Sequence, residues 1–588
     1  MDINTLVTVI ATIVGIVISL FVLFFGQKSI SDLLKDMRGK NKKTENKKSL
    51  STDIPIQPIL SEGETTRGIE QSKITKSFSD LVKTGQYKEA IEIAERERSE
   101  LVASIHPENP DNELNIDDFD AWFARAQIYT GNSKEGLEKL NQLIERQEKQ
   151  LDSDGKIDKP QRNMLLGRAH NDKGYANWMD LGHYEIALQE FSQALRFYNA
   201  GHEKTDEIAT TCDNLGRVYA QLGFRARAGY LINRGREIRL ELDKNDRYAL
   251  SLISSAILNM LNGNPHESVN LANEAYSLYE GLGDEKKTYR GKGLSKITKG
   301  QALRQKGSLW RYARPSMRER FNQDLDNSLH ELTDAQRIFE DIYEPIRICQ
   351  IANEIGCVYR EQIDLSEKDQ QMINKAKNNF NKSLEIAKDK FPVLYVDGCE
   401  DLAQLYFKIG DTKNARDQLK KAEETIDRSS KFYRFKKSNR MPDLENQNCI
   451  EDFWQQLGKV YSLRGNMLFD EIITSRNPNK RMNEVFEYYI LAAGYFGRFM
   501  ERPMRITTEK DTSLTTHLFS SGRNSLLSQS TFMEQMYSRL QEQQINTEVV
   551  KKLLVQSIPK VKQDYGLSDI WVDEFFRDVT ELLVQLKP

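Results

Sequence analysis

The sequence predicts an all-α protein, a solenoid of stacked antiparallel helix pairs behind one N-terminal membrane helix. Three observations carry that prediction. Residues 6–26 form an uncharged stretch of 21 residues rich in Val, Ile, Leu and Phe. Beyond Ser77 the apolar pattern is continuously helical, and the short gaps between helices bring back the same residue types, which marks a repeat array. The composition fits a globular body: 84 Lys and Arg against 87 Asp and Glu in 588 residues give a net charge of -3. A generally basic nucleic-acid binder is thereby excluded, and any electrostatic partner must act locally.

At about 1.5 Å per residue the helix over 6–26 crosses the roughly 30 Å hydrocarbon layer, so residues 1–27 are read as an anchor whose partner is the lipid bilayer. The only charged residue before it is Asp2, whereas a cleaved signal peptide would want a basic start. Lys28, Lys35, Arg38, Lys40, Lys42, Lys43, Lys47 and Lys48 follow it and keep the rest of the chain on the cytoplasmic side, with the N-terminus outside. A bacterial plasma membrane is the expected host. Residues 28–76 are basic and then polar, with Pro55 and Pro58 but no helical period, and read as a flexible linker. Residues 77–500 hold the array, in eight or nine units. In 501–588 a polar loop precedes helices, and Trp571, Phe575, Val579, Leu582 and Leu586 recur at the spacing of an amphipathic helix that caps the open end.

The units are clearest in four places. Tyr175, Trp178, Gly182, Tyr184, Ala187, Phe191 and Ala194 form the first, and Leu215, Gly216, Tyr219, Gly223 and Ala228 the second. Leu402, Ala403, Tyr406, Gly410, Ala415, Leu419 and Ala422 form the third, and Trp454, Leu457, Gly458, Tyr461 and Gly465 the fourth. Together they resemble the tetratricopeptide repeat, with its Trp, Leu, Gly and Tyr on the first helix and Ala, Phe, Ala on the second. Units about 40 to 56 residues apart exceed the usual 34 or so of that repeat and are similar to the long-unit arrays of kinesin light chains, spindle-orientation adaptors and bacterial peptide-pheromone receptors. The resemblance implies a right-handed superhelix with a concave groove. It makes Phe191, Tyr219, Tyr406 and Trp454 core residues and assigns Gly182, Gly223, Gly410 and Gly465 to turns between helices.

No phosphate-binding glycine loop, nucleophile elbow, kinase signature or dinucleotide fingerprint is present, so no enzyme is expected. Five widely spaced cysteines without a C-x-x-C and seven histidines without H-E-x-x-H point to neither disulfides, metal nor cofactor. Asp117, Asp118 and Asp120 read as helix-start or solvated-face residues.

The resemblance places a ligand's backbone against polar residues of the first helices. Asn214 stands where the family often has a groove asparagine, and Arg217, one turn on, could take a carboxylate. Asn353 and Glu354, and Asp401 and Gln404, hold the corresponding places in later units. The clamp that grips chaperone tails cannot be assembled around Asn214. Two insertions interleave cations with aromatics, RQKGSLWRYARPSMRER with Arg304, Lys306, Arg311, Arg314 and Arg318, and KFYRFKKSNR with Arg434, Lys436 and Lys437. Such runs suit nucleic acid or an anionic surface. The expectation is a membrane-anchored adaptor for a protein or peptide partner. The alternatives are a sensor of nucleic acid or another anionic ligand, or the regulatory subunit of a partner enzyme.

Overall fold

The computed structural model describes residues 72–104, 111–153, 159–200, 205–222, 224–311, 318–363, 369–429, 453–473 and 481–492, with isolated positions beyond. All lie in a compact unit spanning 59–588. The expected anchor over 6–26, the linker to residue 71, Gly223 and nearly all of 501–588 lie outside the described residues. Among those described, no helix is long and apolar enough to cross a membrane.

The unit is an all-α array of antiparallel pairs. In order they are α1 (Lys73–Lys83) with α2 (Tyr87–Ala103), α3 (Asp111–Tyr129) with α4 (Ser133–Ser153), α5 (Lys159–Ala176) with α6 (Tyr184–Ala200), and α7 (Asp206–Gln221) with α8 (Arg225–Glu241). There follow α9 (Asn245–Leu261) with α10 (Pro265–Gly281), α11 (Glu285–Arg311) with α12 (Arg318–Asp341), α13 (Pro345–Gln362) with α14 (Gln370–Ala387), and α15 (Pro392–Lys408) with α16 (Thr412–Ser429). Finally α17 (Trp454–Ile473) packs on a helical stretch over 482–492. The array begins four residues before the expected Ser77, because Ser72 accepts a hydrogen bond from the amide of Thr75 and so starts α1 at Lys73. Pro265, Pro345 and Pro392 open α10, α13 and α15 at the first position, where a missing N–H costs nothing.

Small residues set the spacing of each pair. Ala187, Ala194, Ala228, Ala415 and Ala422 are fully buried, and Phe191 and Tyr219 fill the space beside them. Tyr406 is only partly buried. The turns inside the pairs α1–α2, α3–α4, α7–α8, α9–α10 and α15–α16 share one closure, in which the amide after the turn bonds back to the carbonyl five residues earlier, as from Asp411 to Tyr406 at 2.8 Å. That turn needs a left-handed residue, which Gly410 supplies at φ 82°. Gly182, at φ 75°, ends a π-turn over Asn177–Leu181.

Gly465 departs from expectation. It lies inside α17, not at a turn, and a Cβ there would come within 2.7 Å of the Tyr489 ring. Gly174 and Gly356 make the same close approach to Phe191 and Phe380, so this glycine serves packing between the helices of a pair. Asp117, Asp118 and Asp120 also depart from it. They sit mid-α3 and are buried, paired with Arg146, Arg168 and Arg98 respectively. These ion pairs tie α3 to neighbouring helices, a role that a run of three acids does not announce.

Early turns also touch late units. Gly85 lies against Arg290 and Ile342, Gly131 against Lys390 and Phe391, and Gly182 against Val393. Arg347 of α13 reaches Tyr175 of α5 at 3.4 Å. The first three pairs therefore close against α11 to α15, and the inner faces between them become a cavity.

Candidate functional site

The cavity, of about 170 Å³, is lined mainly from α1, α3, α5, α7, α9, α11 and α13, the first helices of seven successive pairs, with Tyr87 of α2, Tyr198 of α6 and Arg239 of α8 joining from second helices. Asn214 and Arg217, expected on the inner face of α7, both line it. Side chains that the sequence did not single out accompany them. Lys83, Arg125, Arg239, Arg247, Arg290 and Arg347 add positive charge, while Asp172, Asp206, Glu207 and Asp213 oppose it. Glu344, fully buried, sits behind Arg290 and Arg347.

Nearly every cation here has a counter-charge. Arg125 bonds Asp172 at 2.9 Å. Arg239, which is wholly buried, holds Asp213 and lies 2.9 Å from Asp206, with Ser251 and Thr210 taking its remaining donors. Arg290 grips Glu344 with two bonds of 2.8 and 3.0 Å, and Arg347 shares that carboxylate at 3.3 Å. Burial works against the charge on Arg125, Arg239 and Arg290, but their carboxylates more than offset it and hold all three above the ordinary arginine value.

Arg217 is the exception. Among the described residues it makes no hydrogen bond and has no carboxylate in ion-pair range, and its Nε is buried without a partner. The guanidinium lies over the Trp178 ring, 4.8 Å from its centre. Burial, then repulsion from Arg347, lowers its pKa to about 10 despite the more distant Asp213. The indole Nε1 of Trp122, another cavity residue, is likewise a buried donor without a partner.

An aromatic wall faces these cations. Tyr87, Tyr129 and Tyr175, from three successive pairs, stack with ring centres 4.7 and 4.8 Å apart, and Arg290 lies over Tyr129 at 5.0 Å. Lys83, Arg125 and Arg168 surround the Trp122 ring at 4.4 to 4.9 Å. Asn214 donates to Asn171 at 3.3 Å, which leaves its carbonyl oxygen to serve a ligand.

The other four expected groove residues lie on α13 and α15, apart from this cavity. There Asn353 donates to Asp401 at 2.7 Å, and Arg360 meets the same carboxylate at 2.8 Å. Glu354 accepts from Arg304 at 2.7 Å, and Gln404 donates to Glu400. Burial and the neighbouring Asp401 push the Glu400 carboxyl up to about 7. Neighbouring side chains thus occupy all four, and of their polar atoms only the Asn353 side-chain carbonyl oxygen is buried without a partner.

Of the insertions, Arg304 and Lys306 are not loop residues. They lie within α11 and are paired with Glu354 and Asp324. Arg311 closes α11 and Arg318 opens α12; their side chains, together with Arg314, Arg434, Lys436 and Lys437, lie outside the described residues. Among the described residues no three metal-ligating side chains gather. Burial pushes the Cys212, Cys349 and Cys399 thiols up to about 12, which makes them poor thiolates.

Sequence reasoning missed most of the cavity, and the signal for it lay in register. Arg125 stands four residues before Tyr129, and Asn171 and Asp172 stand four and three before Tyr175. Aligning the units on their first-helix tyrosines would have drawn one inward polar stripe.

The fold and the cavity define a helical-repeat protein with a cation-rich inner face. No protein-family model matches the chain, and no curated protein sequence does. Among solved structures the chain is similar to a Rap protein complexed with competence and sporulation factor, at 12% identity and TM-score 0.44, over 74% of this chain and 97% of that one. It is also similar to a human IFIT1 dimer with PPP-AAAA, at 13% identity and TM-score 0.40, over 87% and 96%.

Proposed function

We propose that this chain is a non-enzymatic binding scaffold that receives a protein or peptide partner on its first-helix face, with an anionic group of that partner entering the cavity. The observation that carries the reading is Arg217, a charged side chain on the inner face with no hydrogen-bond or ion-pair partner among the described residues. Holding an unpaired cation in a partly dry site opposes folding, and a ligand's negative charge would remove that cost. Residues 6–26 would tether the array to a membrane with its concave face in the cytoplasm, so that the partner is collected there.

The test is affinity purification of the full chain from its own membranes, wild type beside Asn214→Ala with Arg217→Glu. The reading expects a protein that is enriched by the wild type and lost in the variant. Equal enrichment by both would end it.

A further inference from the structure

The charge count at the cavity says more about the anion. Of the seven cations that line it, Lys83 pairs with Asp80, Arg125 with Asp172, and Arg239 and Arg247 with Asp213 and Asp206, which leaves Arg217, Arg290 and Arg347 with the one carboxylate of Glu344. Two positive charges remain uncompensated. They are concentrated where Arg217 of α7 comes near Arg347 of α13, since Arg347 and Arg290 share the single carboxylate of Glu344. A carboxylate would neutralise one of the two charges, whereas a phosphomonoester in its dianionic form neutralises both. The dianion also has three acceptor oxygens for the donors grouped here. The Tyr175 hydroxyl and the unpartnered Trp122 indole supply neutral donors to the same cavity.

We propose that the cavity is a subsite for a phosphomonoester dianion, held between Arg217 and Arg347 with the tyrosine wall beside it. This rests on the reading of the cavity as the binding site but names its chemistry. The phosphoryl group is carried either by a side chain of the partner or by a free small molecule.

The experiment is calorimetric titration of the full chain with glycerol 2-phosphate and with acetate at equal ionic strength, for wild type, Arg217→Gln and Arg217→Lys. Wild type is expected to bind the phosphate ester at least about tenfold more tightly than acetate. Its affinity should rise as the pH passes about 6, where the dianion forms. Arg217→Gln should lose that preference and Arg217→Lys recover part of it. Acetate binding as well as the ester, or an ester affinity untouched by Arg217→Gln, would overturn the proposal. Phosphatase treatment of a captured partner then separates the two sources. Loss of capture places the phosphoryl group on the partner, and retained capture alongside ester binding assigns it to a free molecule. A chain that captures no protein yet binds the ester loses the scaffold reading and keeps this one.

Discussion

At the cavity, positive side chains outnumber carboxylates and Arg217 has no ion-pair partner among the described residues. Around α13 and α15, farther along the same series of first helices, Glu354, Glu361, Asp397, Glu400 and Asp401 outnumber the cations set against them, Arg304 of α11, Arg360 of α13 and Lys459 of α17. Every one of those carboxylates accepts a hydrogen bond. The two regions are built alike and titrate in opposite senses. Burial and a neighbouring cation bring Arg217 down to about 10, while burial and a neighbouring acid bring Glu400 up to about 7. A polar residue on an inner face is therefore not yet a site, because what separates the two regions is whether the fold already supplies the partner.

The largest effect should come from breaking the matched region. Asp401→Ala leaves Arg360 without its carboxylate and Asn353 without its acceptor. The pair is partly buried, so its loss should cost at most the fully buried figure of about 3–5 kcal/mol, read as a lower midpoint in urea, and ester binding at the cavity should stay as in wild type. A variant that unfolds no more easily would show that the matched network is idle.

Next in size is a pH dependence at the seam between early and late units. Asp180 is buried and accepts a bond from Ser133, and burial pushes its carboxyl up to about 7 from 3.8, with Glu344 raising it further and Arg347 opposing. The folded chain thus keeps a proton that the unfolded chain has released. The stability this adds is complete at about pH 4 and is lost as the pH rises through about 7, a change on the order of 2–4 kcal/mol. Glu400 contributes in the same direction and window. Asp180→Asn should flatten part of the curve of urea midpoint against pH, and an unchanged slope would refute the assignment.

The same seam can be strained directly. At Gly182, φ is 75° and a Cβ would fall 2.4 Å from Val393. Gly182→Ala should cost about 2 kcal/mol from the left-handed backbone and the overlap together. Val393→Ala made in addition should recover the overlap part but not the backbone part, a coupling that a double-mutant cycle measures.

The fold was legible because each helix pair must bury an apolar stripe that it cannot cover alone, so Ala187, Phe191, Ala415 and Leu419 recur at matching offsets. Turns were legible where glycine made them, as at Gly182 and Gly410. They were hidden where Asp243 or Tyr343 takes the left-handed conformation instead, and Gly465 misled because close packing and turning both select glycine. Of the site, Asn214 and Arg217 could be read from their offset to Gly216. Arg290 and Arg347 could not, since they reach the cavity only because Gly85 and Gly182 let the early turns settle against α11 to α15. Nor does sequence show that Glu354 and Asp401 are already spoken for, which depends on Arg304 and Arg360 arriving from neighbouring helices.

The smallest expected effect is the one that separates the two regions most sharply. Arg217→Gln removes a charge that no ion pair among the described residues compensates, and with it a stacking contact on Trp178 worth about 0.5–2 kcal/mol. Relief from the burial and from Arg347, the two causes that lower the Arg217 pKa, offsets that loss. Net stability should therefore move by no more than about 1 kcal/mol, against several for Asp401→Ala, although both residues lie on inner helix faces. A urea midpoint for Arg217→Gln close to wild type, together with lost ester binding, would mark the arginine as held for a ligand. A drop as deep as that of Asp401→Ala would mean that Arg217 supports the fold, and the contrast between the two regions would collapse.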